Sequence, residues 1–66
     1  MLIQVNGSPT TIPDAMRMSG LIEHLGLTDR RLAVEVNREL VPRSRFAEHE
    51  LSEGDAVEII HAVGGG

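Results

Sequence analysis

Cysteine and lysine are both absent from this 66-residue chain, tryptophan and tyrosine are missing too, and Phe46 is its only aromatic residue. Without cysteine, neither a disulfide framework nor a thiolate metal site can stabilise it, so apolar packing must hold the fold together. At this length the chain is one domain, near the lower limit at which a single core suffices. With one aromatic, that core must be built from Leu, Ile, Val and Met. The missing lysines leave no side-chain amine that an activated carboxylate on a neighbouring copy could acylate; a genome that favours arginine over lysine explains the same absence.

Positive charge is scarce as well. Ten acids against six arginines give a formal net charge of -4, which argues against the clustered basic footprint of a nucleic-acid binder. No apolar stretch approaches the ~20 residues of a membrane-spanning helix. The start, Met1-Leu2-Ile3-Gln4, has neither the basic opening nor the long apolar region of a signal peptide. A cytoplasmic location is therefore expected, with no membrane and no nucleic-acid partner.

What is present is short-range order. Leu2 to Val5 alternate, with Ile3 and Val5 on one side, and Asn6-Gly7 is a strong two-residue hairpin signal. The returning strand is expected around Thr10 to Ile12, flanked by Pro9 and Pro13, which suit an edge or a strand end because they donate nothing to a ladder. Met18, Leu21, Ile22 and Leu25 then fall on one helical face, and Gly26 supplies the stop. Gly20 within that helix makes it dependent on docking to a sheet.

Leu32 to Asn37 alternate again, with Leu32, Val34 and Val36 inward. A turn at Asn37 to Glu39 leads to a short strand at Leu40-Val41, ended by Pro42. Arg43 to Leu51 has no clear period, and its only large apolar residues, Phe46 and Leu51, are expected to plug the end of the core. The cluster Ser52-Glu53-Gly54-Asp55 marks a turn. It launches a last apolar strand from Ala56 to Val63, with Val57 and Ile59 on one face and Glu58, Ile60 and Ala62 on the other. Apolar residues on both faces suit a central strand, and the Ile60-Ala62 side is either an exposed docking patch or covered by a loop. The whole reads as an α+β roll, one helix packed across a mixed sheet of four to five strands.

Familiar constellations fail. His24, His49 and His61 fall on the helix, a loop and a strand, none at metal-ligand spacing. Glu48, Glu50, Glu53 and Asp55 read as a solvated acidic stretch, and paired catalytic carboxylates need a pocket that so small a domain can scarcely enclose. Ser8, Ser19, Ser44 and Ser52 lack the context of a nucleophile. Gly64-Gly65-Gly66 is no phosphate loop, since no helix follows it. The expectation is a protein that is not itself an enzyme.

The informative feature is those three glycines, which follow directly on Val63. Having no Cβ, an extended glycine thread can enter a channel too narrow for other residues, and three residues carry the final carboxylate about 10 Å beyond the last side chain. The expected organisation is a folded unit over 1–63 and a flexible tail over 64–66. Chain ends are often glycine-rich and frayed; here no polar linker separates the glycines from the strand.

In element order, size and diglycine end the chain resembles the ubiquitin-like β-grasp proteins, and among them the ThiS-like sulfur carriers of thiamin (thiazole) biosynthesis. The likeness covers essentially the whole chain. It rests on Ala33-Val34-Glu35-Val36-Asn37-Arg38-Glu39-Leu40-Val41-Pro42-Arg43, then Phe46, then Glu53-Gly54-Asp55, then Gly65-Gly66. Gly64 departs from the pattern, since that family commonly carries a side chain there.

The resemblance implies that Gly66 is the attachment point of an adenylate and then of a thiocarboxylate, with Gly65 and Gly64 threading into partner channels. No stably bound cofactor is implied; ATP and Mg²⁺ would be used by an activating partner, an adenylyltransferase of the ubiquitin-activating type. Sulfur would come from a cysteine desulfurase or another persulfide donor and pass to thiazole synthase. Ile60, His61 and Ala62 are the candidate docking residues, and the free protein is expected to be a monomer. The small subunit of molybdopterin synthase shares this fold and ending. A protein modifier joined through Gly66 to target lysines, and a plain β-grasp interaction module, are the further alternatives.

Overall fold

Two tight turns and one helix stop set the architecture of this computed structural model, which describes residues 1–61. Strands β1 (Leu2–Val5) and β2 (Ser8–Thr11) form a hairpin, α1 (Met18–His24) follows, β3 (Leu32–Val36) and β4 (Glu39–Val41) form a second hairpin, and β5 (Ala56–His61) closes the sheet. The five strands lie in the order β2-β1-β5-β3-β4, with β1 and β5 parallel and the other pairs antiparallel. The last strand is thus central, as its two apolar faces require.

At the first turn Asn6 and Gly7 both have positive φ, 50° and 82°, the backbone of the two-residue turns that match strand twist. The returning strand spans Ser8–Thr11 rather than Thr10 to Ile12, so Pro9 lies inside it. The register explains why Pro9 is tolerated. Val5 opposite Ser8 closes the turn, and Pro9 faces Gln4 at the next position, where backbone groups point away from the partner strand. Because β2 is an edge, the missing N–H leaves nothing unpaired. The hairpin ladder continues past the strand ends, with Ile12 N–H donating to the Met1 carbonyl at 2.9 Å and the Met1 amino group to the Ile12 carbonyl at 2.7 Å.

The second turn repeats the geometry with a worse residue. Asn37 (φ 52°) and Arg38 (φ 71°) are both left-handed, and Arg38 occupies a position that glycine fills without steric cost. Arg38→Gly is expected to raise stability by about 0.5 to 1 kcal/mol, read as a higher denaturation midpoint at unchanged m-value.

Helix α1 ends where Gly26, at φ +72°, lets the chain reverse. The Gly26 and Leu27 N–H groups donate back to the Glu23 and Ile22 carbonyls at 3.0 and 2.9 Å, the paired closure that satisfies the last carbonyls of a helix. The other end is satisfied differently. No side chain caps it; Met18 and Ser19 N–H donate instead to the His49 and Phe46 carbonyls at 2.8 and 2.9 Å. The aperiodic segment 43–51 therefore has a structural task. After a 3₁₀ turn at Arg43–Arg45 it crosses the start of α1, bridges Arg17 to Glu50, and buries Phe46 and Leu51.

The core lies between α1 and one face of the sheet. Met18, Leu21 and Ile22 meet Ile3, Val34, Val36, Val57 and Ile59, with Ile12, Val41, Phe46 and Leu51 closing the margins. No polar or charged residue is buried among the described residues. No helix described here is long and apolar enough to cross a membrane.

Candidate functional site

The end of β5 is where the fold delivers the chain towards its glycines. Strand β1 pairs with β5 only at Gln4–Ala56 and Val5–Val57 before turning away, so β5 runs on from Glu58 to His61 with β3 alone beside it as a strand. There Ala33 lies opposite Ile60 and Leu32 opposite His61. Beyond Val5 the place of β1 is taken by the Asn6 side chain, whose Oδ1 accepts from Ile59 N–H at 2.8 Å and whose Nδ2 donates to the Ile59 carbonyl at 3.3 Å. At the start of β5 the other turn asparagine does likewise. Asn37 N–H donates to the Ala56 carbonyl at 2.8 Å, its Oδ1 accepts from Ala56 N–H at 3.0 Å, and its Nδ2 donates to Asp55 Oδ1 at 3.0 Å.

Of the candidate docking residues, Ile60 stands out from the uncovered sheet face at 54% exposure and His61 is also exposed. No described loop covers Ile60. Ala62, Val63, Gly64, Gly65 and Gly66 lie outside the described residues, and so do the expected end of the last strand at Val63 and the expected boundary there. The same face carries Leu40, 67% exposed and opposite Glu35, and Leu2 at 48%.

Between Leu40 and Ile60 sits a feature that residue patterns alone leave hidden: Glu35 and Glu58 are directly opposite each other on β3 and β5. Among the described residues neither takes part in an ion pair within 4.0 Å. Like charges directly across a ladder are destabilising. Glu58→Gln is expected to add about 0.2 to 1 kcal/mol, with the gain shrinking as salt screens the pair; an unchanged midpoint at low salt contradicts the repulsion.

The other acids have structural or solvent-facing places. Asp55 Oδ2 accepts from Ser52 N–H at 2.8 Å and Glu53 Oε2 from Leu2 N–H at 3.0 Å, which stitches the 52–55 turn to β1. Glu48 pairs with Arg45 at 3.5 Å on the surface, an interaction of little energetic weight. Glu48, Glu50 and Asp55 line an open groove of about 490 Å³ beside β4, at the end of β5 remote from His61. Among the described residues no group of three His, Cys, Asp or Glu side chains could hold a metal ion. His24, His49 and His61 remain on helix, loop and strand, apart from one another.

Sequence reasoning named Ile60 and His61, which are exposed, but missed the asparagine braces and the acidic pair. The signal for the pair was the outward phase of Glu35 and Glu58 in their strands; their meeting depends on a register that alternation does not determine. For Asn6 and Asn37 the turn signal was read, but not the side chain's reach to a strand distant in sequence.

One helix across a five-stranded mixed sheet, with the first and last strands parallel and adjacent and the last strand leading to a diglycine end, defines a protein of the ubiquitin-like β-grasp class. A crystal structure of the thiamine biosynthesis protein ThiS from Geobacter metallireducens superposes with a TM-score of 0.86 at 32% identity, covering 100% of both chains. The ThiS family model matches residues 3–66, and the chain belongs to that family. The sulfur carrier protein ThiS of Bacillus subtilis is 33% identical over 98% of this chain and 100% of its own length. A thiazole synthase of Paramagnetospirillum magneticum is 36% identical over 100% of this chain, which spans only 20% of that relative's length.

Proposed function

We propose that this protein carries sulfur on its final residue for assembly of the thiazole ring of thiamin. The family match over residues 3–66, which runs through the glycine end, is the observation that carries this reading. A carboxylate is a poor electrophile. An adenylyltransferase partner therefore uses ATP and Mg²⁺ to convert the Gly66 carboxylate into an acyl-adenylate, with release of pyrophosphate. A persulfide, supplied by a cysteine desulfurase or another donor, attacks the acyl carbon and AMP departs. A thiol then reduces the resulting acyl disulfide, leaving a thiocarboxylate on Gly66 and a disulfide on the donor side. The thiocarboxylate is ionised at neutral pH and is a soft nucleophile suited to sulfur transfer.

The parts divide accordingly. Residues 1–63 form the handle and 64–66 the thread. Gly65 and Gly64 offer no side chain to obstruct a partner channel, and Ile60 and His61, with Ala62, form the contact surface beside it. Catalysis belongs to the partners, and the carrier supplies a delivered atom and a surface. A thiazole synthase that includes a segment like this whole chain in a fifth of its length favours that enzyme as the sulfur acceptor over the molybdopterin route.

The proposal is tested by ATP–pyrophosphate exchange with the adenylyltransferase of the same organism. Exchange that depends on this chain and saturates with it is the expected result; no exchange at any carrier concentration overturns the reading.

A further inference from the structure

We propose that Asn6 is a positioning residue, a side-chain brace that holds the end of β5 in line so that the glycine thread leaves the fold in one direction; its consequence for partner engagement rests on the carrier reading above. The physical need is visible in the ladder. β1 turns back after Val5, while β5 continues, so Ile59, which is only 5% exposed, would otherwise have a donor and an acceptor facing a vanished strand. Unpaired backbone groups at such a place are costly.

A side-chain amide has one carbonyl and one N–H₂ and can stand in for a peptide group. Asn6 uses both, at 2.8 and 3.3 Å, while its own N–H donates to the Val57 carbonyl at 2.8 Å. Three hydrogen bonds thus tie one turn residue to β5 at positions 57 and 59. Ile59 precedes Gly64 by five residues in the chain, so freedom gained at Ile59 is passed on to everything beyond it. Asn37 makes the equivalent set with Ala56 and Asp55 at the opposite end of the strand, and so provides an internal control.

Glycine separates brace from turn. Asn6→Gly keeps a residue at ease with φ near 50°, and Gly-Gly suits this turn type, so only the side chain's bonds are lost. Asn37→Gly does the same at the far end, where the bonds lost are solvent-exposed. In Asn6→Gly, amide hydrogen exchange at Ile59 is expected to accelerate; in Asn37→Gly the acceleration appears at Ala56 and leaves Ile59 protected. Asn6→Asp, which keeps the acceptor for Ile59 N–H, should restore part of the protection there.

In pyrophosphate exchange with the adenylyltransferase, Asn6→Gly should raise the carrier KM about tenfold with kcat little changed, because the aligned strand end becomes a minority state that the partner must select. Asn37→Gly should leave KM near the wild-type value. Unchanged protection at Ile59 in Asn6→Gly overturns the brace whatever the protein's function. Lost protection with an unchanged KM, or equal KM increases in both glycine variants, overturns the positioning role. If the wild-type protein supports no exchange, the carrier reading fails and hydrogen exchange alone decides the brace.

Discussion

A single alanine added after Gly66 is expected to lower kcat/KM for ATP-dependent activation by at least a hundredfold while leaving the fold untouched. One residue displaces the carboxylate by about 3.3 Å. A misplacement of about 1 Å can already cost on the order of a hundredfold in a reaction that depends on approach geometry. The extension lies beyond every core contact described, so the circular dichroism spectrum and the denaturation midpoint should match the wild type. Removing Gly65 and Gly66 should be equally damaging in a carrier. A plain interaction module would tolerate both changes, and a protein modifier would be distinguished by lysine adducts on cellular targets. Activation that survives the extension would place the reacting group elsewhere.

The second large effect concerns the fold. Phe46→Ala is expected to cost about 3 to 5 kcal/mol, against a total of roughly 3 to 10 kcal/mol for a domain of this size. The side chain is 7% exposed and no other aromatic exists to fill the space. Its carbonyl also accepts from Ser19 N–H at the start of α1, so any shift of this segment loosens the helix as well. Arg43, whose guanidinium carbon lies 5.9 Å from the ring centroid, would lose its apolar support. Equilibrium denaturant titration with linear extrapolation measures the loss. A value below about 1 kcal/mol would contradict the placement of Phe46 in the core.

The parts of this fold legible in the residues were those with a local cause. Asn6-Gly7, the helical stripe Met18-Leu21-Ile22 and the alternation of β3 and β5 each announce an element within a few residues, and β5's apolar residues on both faces marked it as central. Phe46 and Leu51 were identified as core by being the only large apolar groups in a polar stretch. What stayed hidden depends on partners distant in the chain. Pro9 sits within β2 because of its register against Gln4. Segment 43–51 caps α1 through backbone carbonyls, which no side-chain pattern encodes. Glu35 meets Glu58, and Asn6 reaches Ile59, only once the sheet is assembled.

The candidate site was legible to a different degree. Strand phase put Ile60 on the face away from the core, and the structure leaves it exposed there; His61, exposed as well, falls by alternation on the phase of Val57 and Ile59. The role given to Gly66 came from the run of three glycines directly after an apolar strand, joined to a family likeness that the match over residues 3–66 now makes firm at the level of the family.

Intact-mass spectrometry of this protein isolated from its native host, in cells making their own thiamin, tests the central claim most directly. The account predicts a fraction in which one oxygen is replaced by sulfur, localised by fragmentation to Gly66 and lost on alkaline hydrolysis. A population carrying only the ordinary carboxylate, in cells whose thiazole synthesis is active and depends on this protein, would contradict it.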